Sequence, residues 1–144
     1  MNHPTFDEPR PDSPSLRTLA MPADTNPNGD IFGGWILAQM DLAGGTYAFH
    51  LAAGRVATVA ITSMQFLKPV YVGDEVSVYC TTHHVGTTSI AVNIETWVRR
   101  RDKDPTTDPA EEKVTEGLFT FVAIDGEGRP RPIPTAIPVQ RGSS

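Results

Sequence analysis

Apolar residues along this chain change their spacing once, and the change divides the chain into elements. Within Trp35 to Ala53, a stretch free of proline, Ile36, Met40, Ala43, Tyr47 and Leu51 recur at steps of three and four. That spacing predicts an amphipathic helix of about five turns at ~3.6 residues per turn. Gly54 follows, where a left-handed cap would end it. Beyond the helix the period falls to two. Over Glu75 to His84, Val76, Val78 and Cys80 alternate with Glu75, Ser77 and Tyr79; over Thr88 to Arg100, Ile90, Val92, Ile94 and Val98 share one face. These are strands with one face toward a core. Val56 to Leu67 is rich in β-branched and apolar residues, and Val114 to Ile124 is apolar on both faces, as a covered central strand would be.

Polar and turn-forming residues punctuate the pattern. Leu16 to Met21 is a short candidate strand, and Pro22 to Asp30 is a loop dense in Pro, Asn, Asp and Gly. Lys68-Pro69, Val72-Gly73-Asp74, Gly86 and Asp125-Gly126 mark turns, and Asp102 to Glu112 is a polar loop with two prolines. The chain therefore reads as an α+β domain over residues 14–134: a strand, a loop, one long helix, then four strands joined by turns short enough for antiparallel pairing. One helix cannot cover a sheet of five strands, so association through the sheet is expected. Residues 1–13 and 135–144 read as flexible tails. Pro4, Pro9 and Pro11 interrupt the first, and an extended strap from Arg129, spaced by Pro130, Pro132, Pro134 and Pro138, runs into the second.

Composition narrows the functional classes. A formal net charge of -5 argues against a nucleic-acid partner, which favours a basic surface. The first residues lack the apolar segment of a signal peptide, and no apolar run approaches the ~20 residues of a membrane span. A soluble, cytoplasmic protein without a membrane partner is expected. No Cys/His cluster has metal-ligand spacing, so no metal site is expected. The single cysteine, Cys80, suits a small buried apolar position; a nucleophilic role would require His83 or His84 as its base.

Asp41 stands out against the helical pattern. On the wheel it lies beside Leu37, Gly44, Gly45, Ala48 and Ala52, at the margin of the apolar arc, where a carboxylate is costly unless solvated or bonded. A helix-face aspartate that reaches water is the plain alternative to a functional one. The preceding loop, Asp24-Thr25-Asn26-Pro27-Asn28-Gly29-Asp30-Ile31-Phe32-Gly33-Gly34, brings polar side chains and two glycines to the helix N-terminus. Free backbone N–H groups at Gly33 and Gly34 can receive an oxygen that gains negative charge.

The run Leu16 to Ala43, containing Asn26-Pro27-Asn28-Gly29-Asp30-Ile31-Phe32-Gly33-Gly34-Trp35 and Asp41, resembles the YciA-like bacterial acyl-CoA thioesterases. Phe66-Leu67-Lys68-Pro69-Val70, Val72-Gly73-Asp74, Trp97-Val98 and Phe119-Thr120-Phe121-Val122-Ala123 extend the resemblance over nearly all of Leu16 to Pro134. It implies a hotdog fold, an antiparallel sheet wrapped around the long helix. It implies dimers with joined sheets, assembled as a trimer of dimers, that hydrolyse acyl-CoA. The family's catalytic carboxylate matches Asp41, as general base or nucleophile, and its loop asparagine matches Asn26 from across the dimer interface. Coenzyme A is then part of the substrate and product, and no separate cofactor is implied.

For the CoA moiety the candidates are Arg99 and Arg100, in the basic run Arg99-Arg100-Arg101, and Ser89 in Val85-Gly86-Thr87-Thr88-Ser89. Relatives often carry a basic residue where this chain has Thr87. The arginine run also fits a solvated strand end, and strand alternation would let only some of its members serve one pocket. Two other readings compete: a hydratase or dehydratase on the same fold, which would want a histidine near the loop, and a non-catalytic acyl-CoA-binding protein.

Overall fold

The computed structural model describes residues 11–104, 106 and 110–134. The expected tails, residues 1–13 and 135–144, fall outside these except for residues 11–13. The elements in chain order are β1 (Leu16–Leu19), a single 3-10 turn (Pro22–Asp24), α1 (Gly33–Ala52), β2 (Val56–Phe66), β3 (Glu75–Val85), β4 (Ser89–Arg99) and β5 (Glu112–Ala123). The five strands form one antiparallel sheet in the order β1-β3-β4-β5-β2.

The sheet curls around α1, which touches all five strands. Ile36, Met40, Ala43, Gly44, Ala48 and Ala52 form the buried stripe of the helix. They meet Val76, Val78 and Cys80 of β3, Ile90, Val92, Ile94 and Val98 of β4, and Val114, Phe119, Phe121 and Ala123 of β5. Small residues let the helix sink deep into the sheet: a Cβ on Gly44 would meet Phe121 Cζ at 2.9 Å and run into Ile94 as well. The residues of β5 on its other face, Leu118, Thr120 and Val122, are half-buried rather than covered.

The end of α1 differs from the pattern. Ala53, not Gly54, adopts the left-handed conformation (φ 56, ψ 42), and the Gly54 N–H closes the turn on Phe49 O at 3.1 Å. Gly54 is needed for space instead: a Cβ there would lie 2.6 Å from Arg131 Nη2.

Edge strand β2 is mostly exposed and twice irregular. Its pairing with β5 shifts between Thr58 and Ala60 and between Thr62 and Gln65. At the second shift Ser63 takes a positive φ of 54, and Ser63 and Met64 oppose Gly117 alone. Such bulges bend an edge strand and re-aim its side chains. Met64 turns inward over Gly117 and packs against the core. After β5, a short strap returns along the sheet end: Arg131 N donates to Ala123 O, Ile133 N donates to Thr87 O, and Ile133 is buried.

The outer sheet face is more closed than strand alternation implies. Ser77 is fully buried and Tyr79 nearly so. Arg17 Nε donates to Ser77 Oγ at 2.8 Å, Tyr79 OH to Glu111 at 3.0 Å and Trp97 Nε1 to Glu95 at 2.9 Å, while Lys113 bridges Glu95 and Glu116. Long cross-strand side chains lie over the short ones and shield them from water.

Candidate active site

Helical phase brings Asp41 to the flank of α1 that faces the start of β2. There Thr58 Oγ1 donates to Asp41 Oδ1 at 2.6 Å. Thr58 pairs with Phe121, so its side chain shares the sheet's helix-facing side with a core aromatic residue. The bond holds Oδ1, while Oδ2 has no hydrogen-bond partner among the described residues. Around Asp41 opens a cavity of about 360 Å³ lined by Leu42, Gly45, Thr46, Phe49, Arg55 and Val56. It is apolar apart from Asp41, Thr46 and Arg55. Leu42 and Phe49 are 60% and 46% exposed on its walls, more than large apolar side chains would be in a finished binding site.

The loop ahead of α1 is ordered by Asn26. Its Oδ1 accepts from the backbone N–H of Asn28 at 2.9 Å and of Asp30 at 3.1 Å, and its own N–H donates to Asp30 O. Two backbone donors dictate which end of the amide is oxygen, so the Nδ2–H₂ end is the one left to bind a substrate. Phe32 caps the helix, and its carbonyl receives the N–H groups of Trp35 and Ile36. The N–H groups of Gly33 and Gly34 belong to the first turn, which has no helical acceptor. Gly33 rests against Phe66, where a Cβ would lie 3.3 Å from Cε1, while nothing lies within 4 Å of a Cβ on Gly34.

One chain does not bring these groups together. Gly34 and Asp41 are seven helical residues apart, roughly 10 Å at ~1.5 Å per residue. The two thus stand about two helical turns apart along α1. No hydrogen bond joins Asn26 to Asp41 among the described residues.

The basic candidates separate in the same way. Thr58 pairs with Phe121 and Phe121 with Ile90, so Ser89 sits one residue from the row that carries Asp41. Ser89 O accepts from Gly86 N within the turn that precedes β4. Arg99 lies ten residues further along β4, roughly 33 Å away at ~3.3 Å per residue. It pairs with Glu75 and lies 3.8 Å from Glu111. Arg100 is deeper: Nη1 donates to Asp74 at 2.8 Å and to Pro69 O at 2.9 Å, Nε donates to Glu112 at 3.3 Å, and the guanidinium stands over the Tyr71 ring. Hydrogen bonds from Arg100 hold the Glu112 carboxyl below its usual range. Cys80 is packed in the core, and burial pushes its thiol up to about 12, which leaves no thiolate for nucleophilic chemistry. Among the described residues no cluster of three or more His, Cys, Asp or Glu side chains could hold a metal ion, and no helix is long and apolar enough to cross a membrane.

Sequence reasoning missed Thr58 and Arg55. Thr58 is a hydroxyl inside the apolar run Val56-Ala57-Thr58-Val59-Ala60, a signal readable only once β2 is known to face α1. Arg55 carries no local signal.

Residues 28–103 match a family model described as the thioesterase superfamily. The acyl-CoA thioester hydrolase YciA of Salmonella typhimurium is 54% identical over 119 residues, which cover 83% of this chain and 88% of that protein. This chain belongs to the thioesterase superfamily. Among solved members of that superfamily, a hexameric broad-specificity acyl-coenzyme A thioesterase superposes with a TM-score of 0.82 at 46% identity, covering 94% of this chain and 90% of the other. The hexameric hotdog-fold thioesterase of Campylobacter jejuni superposes with a TM-score of 0.79 at 39% identity, covering 90% and 94%. The long helix in a curled antiparallel sheet is thus the hotdog fold of these thioesterases.

Proposed function

We propose that this chain hydrolyses acyl-CoA thioesters to a carboxylic acid and free CoA, in sites that two copies build together. The observation that carries the reading is the separation along α1. Among the groups that would receive an oxyanion, Gly33 and Gly34 N–H stand about two helical turns from Asp41, and Asn26 is engaged by its own loop, with no hydrogen bond to Asp41 among the described residues. A second copy, related by a two-fold axis, supplies its own loop and helix N-terminus to the Asp41 of the first. The open edge of β2, with Val59 and Ile61 exposed, and the exposed Leu42 and Phe49 of α1 form the surface for that copy. Pairing through β2 makes one sheet across a dimer, and three dimers make a hexamer like those of the relatives.

Chemistry follows from the placement. Asp41 Oδ2 takes a proton from water as general base, and the water oxygen attacks the thioester carbon. The carbonyl oxygen gains charge and is received by the partner's backbone amides and asparagine. The carbon–sulfur bond then breaks, and the proton held by Asp41 passes to the CoA thiolate. No cofactor takes part, and the substrate places the reaction in the cytoplasm. Asp41→Asn tests the assignment: it keeps the shape and removes the base, so kcat for CoA release should fall about 10²-fold or more. A kcat within twofold of the parent removes Asp41 from the mechanism.

A further inference from the structure

Beside the Asp41 cavity lie two guanidinium groups, Arg55 on its wall and Arg131 at the adjoining Gly54, that no carboxylate neutralises among the described residues. Arg55 lines the cavity and is exposed, and it forms no ion pair among the described residues. Arg131 comes up against Gly54, the residue before Arg55, from the strap: Nε donates to Ile124 O at 3.0 Å, Ile124 N donates to Arg55 O, and Nη2 lies against Gly54. That Nη2 is buried and has no hydrogen-bond partner. The next arginine on the strap, Arg129, is neutralised by Asp125 and Glu127. The carbonyl end of α1 accounts for one cation by its dipole. It gives no reason for a second, exposed cation next to Gly54, at the wall of a cavity whose other polar lining is Asp41 and Thr46.

We propose that Arg55, backed by the field of Arg131, is the residue that recognises the phosphorylated arm of the substrate. The inference rests on the thioesterase reading of Asp41. Arg55 lies three strand residues beyond Thr58, roughly 10 Å at ~3.3 Å per residue, and its own side chain extends the reach. A pantetheine chain leaving a thioester at Asp41 and crossing the apolar wall of Leu42 and Phe49 delivers its phosphate to this end. Guanidinium recognises phosphate through paired, charge-assisted hydrogen bonds. Arg99 and Arg100 are already held by Glu75, Glu111, Asp74 and Glu112, so Arg55 is the better placed cation. The phosphate in question belongs either to the pantetheine 4′ position or to the nucleotide.

The test compares Arg55→Ala, Arg55→Lys and, as comparator, Arg101→Ala on four thioesters of one acyl group: acyl-CoA, acyl-dephospho-CoA, acyl-4′-phosphopantetheine and acyl-pantetheine. Arg55→Ala should raise KM for acyl-CoA about tenfold or more, the scale of a lost charge-assisted bond, with kcat within about twofold. Arg55→Lys should recover part of the loss, and the wild-type KM should rise with salt. The penalty should vanish with acyl-pantetheine, and the shortest substrate that still shows it identifies the phosphate. An equal penalty on acyl-pantetheine, no penalty on any substrate, or a penalty found only in Arg101→Ala overturns the assignment. If the wild type hydrolyses none of the four, the thioesterase reading fails separately. Calorimetric binding of CoA to wild type and Arg55→Ala then still decides the phosphate site, since equal affinities refute it.

Discussion

Thr58 Oγ1 donates to Asp41 Oδ1 at 2.6 Å, joining the first half of β2 to the middle of α1. Because the hydroxyl holds one oxygen, the rotamer of the carboxylate is fixed and its other oxygen has a defined direction. Thr58 is thus a positioning residue for Asp41. Thr58→Val keeps the shape and removes the donor, and kcat should fall about tenfold, a fraction of the contribution of the base itself. Thr58→Ser should restore most of it. A Ser variant as slow as the Val variant would show that packing, not the hydroxyl, is what matters there.

Arg100 is a structural cation. Its side chain is only 9% exposed and that of Asp74 only 3%. Removing one partner of such a pair strands the other. Arg100→Ala should therefore destabilise the fold by about 3–5 kcal/mol, seen as a lower midpoint in denaturant. A variant of unchanged stability but raised KM would return Arg100 to the substrate.

Acid sensitivity follows from the same cluster. Arg100 holds the Glu112 carboxyl below its ordinary 4.5. The folded state then binds a proton at this site less readily than the unfolded chain. Its contribution is complete above the ordinary value and is lost as pH falls through the depressed one. Glu112→Gln should be less stable than the parent at neutral pH, and the gap should close on acidification below that range. A gap that stays constant with pH would mean that Glu112 contributes by packing alone.

Much of the fold was legible because the core obeys simple periods. Ile36, Met40 and Ala43 marked the buried stripe of α1, and Val76, Val78, Ile90, Val92 and Ile94 marked the sheet face beneath it. What stayed hidden depends on neighbours distant in sequence. Gly54 looked like the helix cap, yet its missing Cβ makes room for Arg131, 77 residues later. Ser77 and Tyr79 read as outward residues and are buried, because Arg17 and Glu111 cover them. Asp41 was visible as a charge at an apolar margin, but its partner Thr58 becomes apparent only when β2 lies along α1. The arginine run showed charge without its counter-charges, which come from the turn before β3 and the start of β5.

In the proposed site, Asp41 of one chain works with Asn26 of another. This pairing is tested most directly by mixing Asp41→Asn and Asn26→Ala proteins, each of low activity alone, under conditions of proven subunit exchange. In a mixed dimer one site combines wild-type Asp41 with wild-type Asn26 from opposite chains, and the other carries both defects. Mixed dimers should recover up to half the wild-type activity, measured as CoA release. Complete subunit exchange with no recovery above the two parents would contradict the pairing.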